Sequence, residues 1–394
     1  MRILYLADIR FPLERANGIQ SMETCHALAS RGHRVTMVVR PDTQRPPRDP
    51  LVFYGLPPID GLRIEYARAG GSPAVRRAAY VAAALSRSLG RVRHDAIVTR
   101  DLGVASALLR VPRLLRAPVV YEAHGLASET AAALPDLLST APPAGETKTR
   151  RLAARDARVW RKADGYVTIT NGLAAELTRR FGPRPRLAVV PDGVRLARDR
   201  AMPPPAAGPF TAAYAGHLYP WKGVDLLIDA LARLPEARAI VIGGHEAEPD
   251  IHRVRARAAE AGVAARVTFT GFVSPGDVAG HLRGAHAFVL PNPASALSTG
   301  FTSPLKLFEY MAAGRPIVAS ALPSIREVLR DGENAILVEP GSGAAIADGL
   351  RRLMNDRALG DRLACRAFAD VAAFGWDQRA ARLESLLDEV VRAS

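Results

Sequence analysis

Short, mostly apolar runs alternate with helical patterns along the whole of this chain, and that alternation restricts it to an α/β fold. In the first half the runs are RILYLA (2–7), RVTMVV (34–39), RIEYA (63–67), AIVTR (96–100), PVVYEAH (118–124), GYVTIT (165–170) and RLAVVP (186–191). Continuous apolar and β-branched stretches of this kind suit a parallel sheet buried on both faces. Helix candidates fill the gaps at 18–30, 76–90 and 171–181, with Asn171 placed to cap the last. AMPPPAAGPF (201–210) interrupts the pattern with four prolines, which fix φ and remove donors, so it reads as a linker. The alternation then restarts with FTAAYAG (210–216), ARAIVIGG (237–244), RVTFTGF (266–272), AFVLPN (287–292), PIVAS (316–320) and AILVEP (335–340). Helices are expected between these at 224–233, 304–313 and 343–353. The expected organisation is a first doubly wound domain over 1–195, a linker over 196–209 and a second domain over 210–372. A C-terminal helix over 373–394 is expected to pack back on the first domain. Two such domains would face each other across a cleft, with ligands beyond the carboxyl ends of the strands.

Composition removes several alternatives. A hydrophobic share of 48% and a mean hydropathy of +0.01 fit large cores rather than disorder. No apolar run reaches the roughly 18 residues that span a bilayer. MRILYLADIR is too short in its apolar part for a signal peptide and reads as a first strand. The two cysteines, Cys25 and Cys365, are too few for a disulfide scaffold and suit a reducing cytosol. Charge is uneven: residues 1–190 hold 30 basic and 16 acidic residues, which is the whole net +14, and residues 191–394 hold 23 of each. The first half is therefore expected to meet something anionic.

Two segments of the second half carry candidate chemistry. In AGHLYPWKGVDLLIDAL (215–231), Gly216 permits close backbone approach at a strand end, and Lys222 precedes a helix start. That pairing suits a phosphate, and the alternative is a solvated lysine in a tight turn. In SPLKLFEYMAAGRPIVAS (303–320), Ser303 is a plausible N-cap and Pro304 suits a first helical turn. Lys306 in that turn opposes the helix dipole, which an anionic ligand would relieve. Glu309 lies a turn further on, among Leu305, Phe308, Tyr310 and Met311, where a carboxylate needs a partner such as a sugar diol. The alternative is a surface glutamate.

GHLYPWKG and SPLKLFEYMAAGRPIVAS resemble the two donor-site motifs of the family 4 glycosyltransferases, retaining enzymes of GT-B architecture. GFVSPGDV (271–278), ALPSIREVLRDGENAILVEPG (321–341), GWDQRAARLESLL (375–387), the Gly18 loop, YEAHG (121–125) and VVPDGV (189–194) fit the family in order and spacing. The resemblance covers nearly the whole chain. It implies that Lys222, with Gly216, holds the diphosphate of a nucleotide-sugar donor, UDP or GDP being the expected carriers. It implies that Glu309 binds the ribose hydroxyls and that backbone at Phe272 and Val273 meets the base. Amides at Pro304, Leu305 and Lys306, with Ser303, would meet phosphates and sugar. His124, at a strand end, would contact the transferred sugar, and Gly18 would let backbone approach the phosphates. The other reading of His124 is an ordinary hydrogen-bonded strand-end histidine.

Two positions depart from the family pattern. His217 stands where arginine is usual, so Lys222 and Lys306 are expected to neutralise more of the diphosphate. Phe301 stands where a second glutamate is usual, which alters sugar recognition. No pair of carboxylates occupies the expected sugar position, so a double displacement through a protein nucleophile has no support. The resemblance implies front-face attack by an acceptor hydroxyl, with retention, at a site where protein cations stabilise the leaving diphosphate. No metal-ligand spacing is evident, and neither a metal nor another cofactor is expected. A nucleotide-sugar epimerase, a phosphorylase or a non-catalytic nucleotide-sugar-binding homologue are the rival readings. A phosphorylase would need a recognisable cofactor lysine.

In KTRRLAARDARVWRK (148–162), Arg151, Arg155, Arg158 and Lys162 recur at helical spacing as one cationic stripe. Arg76, Arg87 and Arg91 align similarly on a helix expected at 76–91. Such helices suit an anionic membrane face, while the plainer reading is a solvated arginine-rich surface. Aromatics at 6% and the absence of a nucleic-acid motif argue against nucleic acid as a partner. The expected partners are a nucleotide sugar and a sugar, lipid-linked or small-molecule acceptor. The expected location is the cytoplasm, with a peripheral position on the inner face of the cell membrane.

Overall fold

The computed structural model describes the chain except residues 44–45, 69, 90–93, 138–144, 198–200, 205, 296–297 and 299–302, and the side chains of 134–137. Contacts divide it into two compact units. The first holds residues 1–132, 144–192 and 376–394, and the second holds 133–143 and 193–375.

In the first unit the sheet is built from β1 (Arg2–Phe11), β2 (Arg34–Pro41), β3 (Leu62–Tyr66), β4 (Ala96–Thr99), β5 (Val119–Ala123), β6 (Gly165–Thr168) and β7 (Leu187–Val189). Their order is β3-β2-β1-β4-β5-β6-β7, with every pairing parallel. β4, β5 and β6 are buried along their whole length, as continuous apolar runs demand. The helix Asn171–Phe181 is capped one residue earlier than the sequence suggested. Thr170, in extended backbone, accepts from the Leu173 amide at 3.1 Å, so Asn171 begins the helix rather than capping it. The helix Trp376–Arg392 belongs to this unit and lays Trp376, Ala380, Leu383, Leu387 and Val390 inward. Glu384 of that helix also receives Arg31 at 2.7 Å and His33 at 2.9 Å.

The second unit repeats the plan with β8 (Thr211–Ala215), β9 (Arg238–Ile242), β10 (Val267–Gly271), β11 (Ala287–Leu290), β12 (Ile317–Ser320) and β13 (Ile336–Val338). The order β10-β9-β8-β11-β12-β13 is again all parallel. Both faces are covered. Leu227, Ile228, Val241, Ile346 and Leu350 fill one core, and Phe288, Phe308, Tyr310 and Leu329 fill the other. The expected α/β class, with two doubly wound sheets, is what the chain adopts. The proline-rich stretch is docked rather than free, since buried Arg315 donates to the Pro203 and Pro204 carbonyls at 3.3 and 2.5 Å. Contacts accordingly place residues 201–209 with the second unit.

Candidate functional site

In each sheet the strand order reverses beside the first strand, the position at which doubly wound sheets in general bind ligands beyond the carboxyl ends of the strands. In the second unit that point lies between β8 and β11. β8 ends at Ala215, and Gly216 follows with φ +145°. Two tyrosines hold this exit. The Ala215 amide donates to the Tyr310 hydroxyl at 2.7 Å, and the Tyr214 hydroxyl donates to the His217 carbonyl at 2.7 Å. Tyr310 belongs to the helix Leu305–Ala312, so the helix that carries Lys306 and Glu309 also fixes the strand end that leads to Lys222.

Lys222 closes the short 3₁₀ turn Pro220–Lys222 and precedes the helix Val224–Ala232 by one residue. That residue is Gly223, at φ +72°, and a Cβ there would lie 2.1 Å from the Pro291 carbonyl oxygen. The Asn292 amide also donates to the Trp221 carbonyl at 3.3 Å. The lysine turn is thus seated directly on the loop after β11. The Lys222 ammonium lies 3.9 Å from the centre of the Trp221 ring. Burial, and then the nearby Lys306 charge, push its pKa down to about 8. A cation depressed by another cation is stabilised when an anion arrives between them.

Lys306 pairs with Glu309 at 2.9 Å on the same helix. The N-cap position is Pro304, and no side chain caps the helix, so the expected N-cap role of Ser303 is not found. Proline has no amide proton and tolerates the extended backbone of a cap, so the chain enters the helix one residue later than expected. Phe301 lies outside the described residues.

The neighbouring strand ends bring up a group of which the sequence reading named only His217 and Phe272. His217 stacks on Tyr219 with centroids 5.0 Å apart, and His245 stacks on Phe272 at 4.7 Å. The two imidazoles are 6.4 Å apart, and Glu248 approaches His217 at 3.9 Å. Phe272 is 41% exposed although its ring is stacked, and Val273 follows it half-buried. A Cβ on Gly243 would lie 2.4 Å from the Gly216 carbonyl oxygen, so the β8 and β9 exits touch backbone to backbone. His245 could have been found by reading one residue past the glycine pair that ends ARAIVIGG. The second unit therefore carries Gly216, His217, Lys222, Phe272 and Val273 on the segments after β8 and β10, and Pro304, Leu305, Lys306 and Glu309 at the start of the helix that follows β11. Two ammonium groups and an uncapped helix start suit a diphosphate, and the exposed aromatic suits a base.

In the first unit His124 directly follows β5, with about a fifth of its side chain exposed. Its Nε2 donates to Glu122 Oε1 at 2.6 Å. Glu122 is fully buried and also accepts from Gln20 at 2.5 Å and from Arg379 at 2.7 Å. Burial opposes its ionisation, but Arg379, with His124 and Arg100, outweighs that and holds its pKa down to about 2. Burial and the Arg100 charge lower the pKa of His124, against the pull of Glu122 and Asp192. Burial raises that of Asp192, against the cations around it. Glu122 and Arg379 lie inside YEAHG and GWDQRAARLESLL, yet nothing local in either segment pairs them.

Gly18 is placed differently from the sequence reading. It lies in the first turn of the helix Ala16–Ser30 rather than in a loop, and a Cβ would meet the Leu13 carbonyl oxygen at 2.4 Å and the Tyr54 hydroxyl at 2.8 Å. Packing within the unit is enough to require glycine there. On the helix Glu146–Lys162, Arg151, Arg155 and Lys162 are exposed and Arg158 is half-buried. None of the four has an ion-pair partner among the described residues. Two members of the second expected stripe are engaged on the helix Pro73–Ser88. Arg87 is paired with Glu65 at 2.9 Å, Arg76 turns back to the Gly71 carbonyl, and Arg91 lies outside the described residues. No group of three or more His, Cys, Asp or Glu side chains that could hold a metal occurs among the described residues.

Comparisons with known proteins give the family and the fold. Residues 18–193 match the family description "Glycosyl transferase 4-like domain", and residues 209–356 match "Glycosyl transferases group 1". The chain is 30% identical over 292 residues to the D-inositol 3-phosphate glycosyltransferase of Nocardia farcinica. That match takes in 69% of this chain and spans 61% of the relative's length. Among solved structures, sucrose-phosphate synthase from Thermosynechococcus elongatus is similar with a TM-score of 0.78 at 20% identity, covering all of both chains. HepE of Anabaena in complex with UDP-glucose is similar with a TM-score of 0.73 at 18% identity, covering 98% of this chain and 99% of that one. At such identities these two likenesses speak to the fold.

Proposed function

The chain belongs to the family 4 glycosyltransferases of GT-B architecture, the glycosyl transferases group 1, and from that premise we propose that it moves a hexose-type sugar from a nucleotide-diphosphate sugar to an acceptor hydroxyl with retention. The observation that carries this reading is the pairing of Lys222 with Lys306 beside an uncapped helix start, at the strand-order reversal of the second unit. Charge that develops on a departing diphosphate meets two ammonium groups and helix amides there, fixed in a partly buried setting where they act strongly. Gly216, His217 and Ser303 line the same exits, Glu309 supplies an acceptor for ribose hydroxyls, and the backbone at Phe272 and Val273 borders the base. Glu309 would exchange part of its bond to Lys306 for the ribose as Lys306 turns to phosphate. His124 supplies a polar contact to the transferred sugar. UDP and GDP are the expected carriers, UDP-glucose being what the Anabaena relative binds.

Protein cations fill the role that a divalent ion serves elsewhere. Turnover of the donor, followed as UDP or GDP released in the presence of a crude acceptor extract, is expected to persist in excess EDTA. Abolition by EDTA with recovery on adding Mg²⁺ would contradict the metal-free reading. Failure to release nucleotide from any of UDP-, GDP- or ADP-glucose or GDP-mannose would contradict the transferase reading.

The basic excess of residues 1–190 and the exposed face of Arg151, Arg155, Arg158 and Lys162 support attachment to an anionic membrane surface, which would present a lipid-linked acceptor. No helix among the described residues is long and apolar enough to cross a membrane. Each basic residue near such a surface contributes about 1 kcal/mol, screened by salt. Wild-type protein is expected to co-sediment with phosphatidylglycerol vesicles at low salt, and a variant with all four changed to Gln to stay in solution. Equal sedimentation of the two would remove this face from the account.

A further inference from the structure

The buried group around His124 is more elaborate than a contact residue needs. Glu122 Oε1 receives three donors at once, from Gln20, Arg379 and His124. Each donor is itself held. Gln20 accepts from Arg100 at 2.6 Å, so its amide is oriented with nitrogen toward Glu122. Arg379 is 1% exposed and spreads its guanidinium over Glu122, the Val190 carbonyl at 3.1 Å and the Thr24 hydroxyl at 3.2 Å. It is delivered by the helix Trp376–Arg392, 257 residues further along the chain than Glu122. A carboxylate surrounded by donors is an acceptor only. The bond between Glu122 and His124 therefore places the imidazole proton on Nε2. Nδ1 has no partner among the described residues, and in the neutral imidazole it carries the lone pair.

We propose that Glu122 and Arg379 are positioning residues that fix His124 as its Nε2–H tautomer, leaving Nδ1 as the acceptor for a hydroxyl of the transferred sugar. This rests on the donor reading given above. A neutral imidazole with its proton on the far nitrogen takes a hydroxyl proton in one direction only, so it specifies the orientation of the sugar rather than merely filling space. The C-terminal helix thereby acts on the chemistry of the first unit through one guanidinium. The charged groups around His124 are Glu122, Asp192, Arg100 and Arg379, and the two cations balance the two carboxyl groups.

The test is nitrogen NMR of the full chain labelled with ¹⁵N-histidine, with the His124 signals identified by their loss in His124→Gln. Wild type is expected to show the neutral Nε2–H tautomer at pH 7, a measurement that needs no variant to fold. In Glu122→Gln the amide can donate to Nε2, so the proton is expected to move to Nδ1. Release of UDP from UDP-glucose, or of GDP from GDP-mannose, is then expected to fall at least tenfold in kcat, while nucleotide affinity, which depends on the second unit, stays within twofold of wild type. That unchanged affinity also shows that the variant is folded. A wild-type His124 that is charged, or protonated on Nδ1, overturns the proposal. So does a Glu122→Gln variant with tautomer and kcat unchanged. If wild type turns over no nucleotide sugar yet shows the stated tautomer, the functional reading fails and the tautomer assignment stands.

Discussion

Lys222→Ala is expected to weaken binding of the nucleotide-sugar donor by about 10- to 150-fold, the loss of a charge-assisted hydrogen bond at about 1.5–3 kcal/mol. The effect is large because the ammonium is already partly desolvated. Its pKa of about 8 means that the free protein bears the cost of keeping this charge beside Lys306 and recovers it when diphosphate binds. The same fact sets the sign of the pH dependence. Below about pH 8 Lys222 is charged and donor capture is favoured. As pH rises through that value the ammonium loses its proton and kcat/KM falls. In Lys222→Ala this alkaline limb is expected to disappear. A kcat/KM profile measured for both proteins between pH 6 and 10 checks the pair of statements, and an identical limb in both would assign it to another group.

Arg379→Ala is expected to be the most damaging single change to the fold of the first unit, at about 3–5 kcal/mol. Arg379 and Glu122 are 1% and 0% exposed in their side chains, so removing the guanidinium strands a carboxylate with no access to water. That is a large part of the roughly 5–15 kcal/mol by which a domain is stable. Neutralising both partners with groups of similar volume avoids the stranded charge. The double variant Arg379→Met with Glu122→Gln is therefore expected to unfold at higher urea than Arg379→Ala. Equal midpoints for the two would mean that the loss is packing rather than charge.

Periodicity exposed the strands because both sheets are parallel and covered on both faces. The inner strands had to be nearly unbroken apolar runs, while the edge strands β3 and β10 carry polar residues and are only half-buried. The order of the strands was not legible, since adjacency such as β1 beside β4 depends on which crossover packs where. Caps moved by single residues. Thr170 displaced Asn171, and Pro304 took the place expected for Ser303, because backbone conformation at the strand exit decides which residue is last outside the helix. Lys222 and Glu309 could be singled out because each lies in a local pattern with its own chemical reason. The His217–Tyr219 stack lies within the loop after β8, whereas the pairing of His245 with Phe272 was not legible, since it joins the loops after β9 and β10. The link from Arg379 to Glu122 is further still from any local pattern, and only the return of the last helix to the first unit creates it.

The central claim, that the second unit holds a nucleotide-diphosphate sugar on Lys222 and Lys306, is tested most directly by thermal unfolding of the intact protein with UDP-, GDP- and ADP-glucose in turn. A ligand at 100 times its dissociation constant adds about 2.7 kcal/mol of stability. One of the three is expected to raise the unfolding temperature saturably in metal-free buffer, and Lys222→Ala is expected to lose most of that rise at the same concentration. No rise with any of the three, or the same rise in Lys222→Ala as in wild type, would contradict the claim.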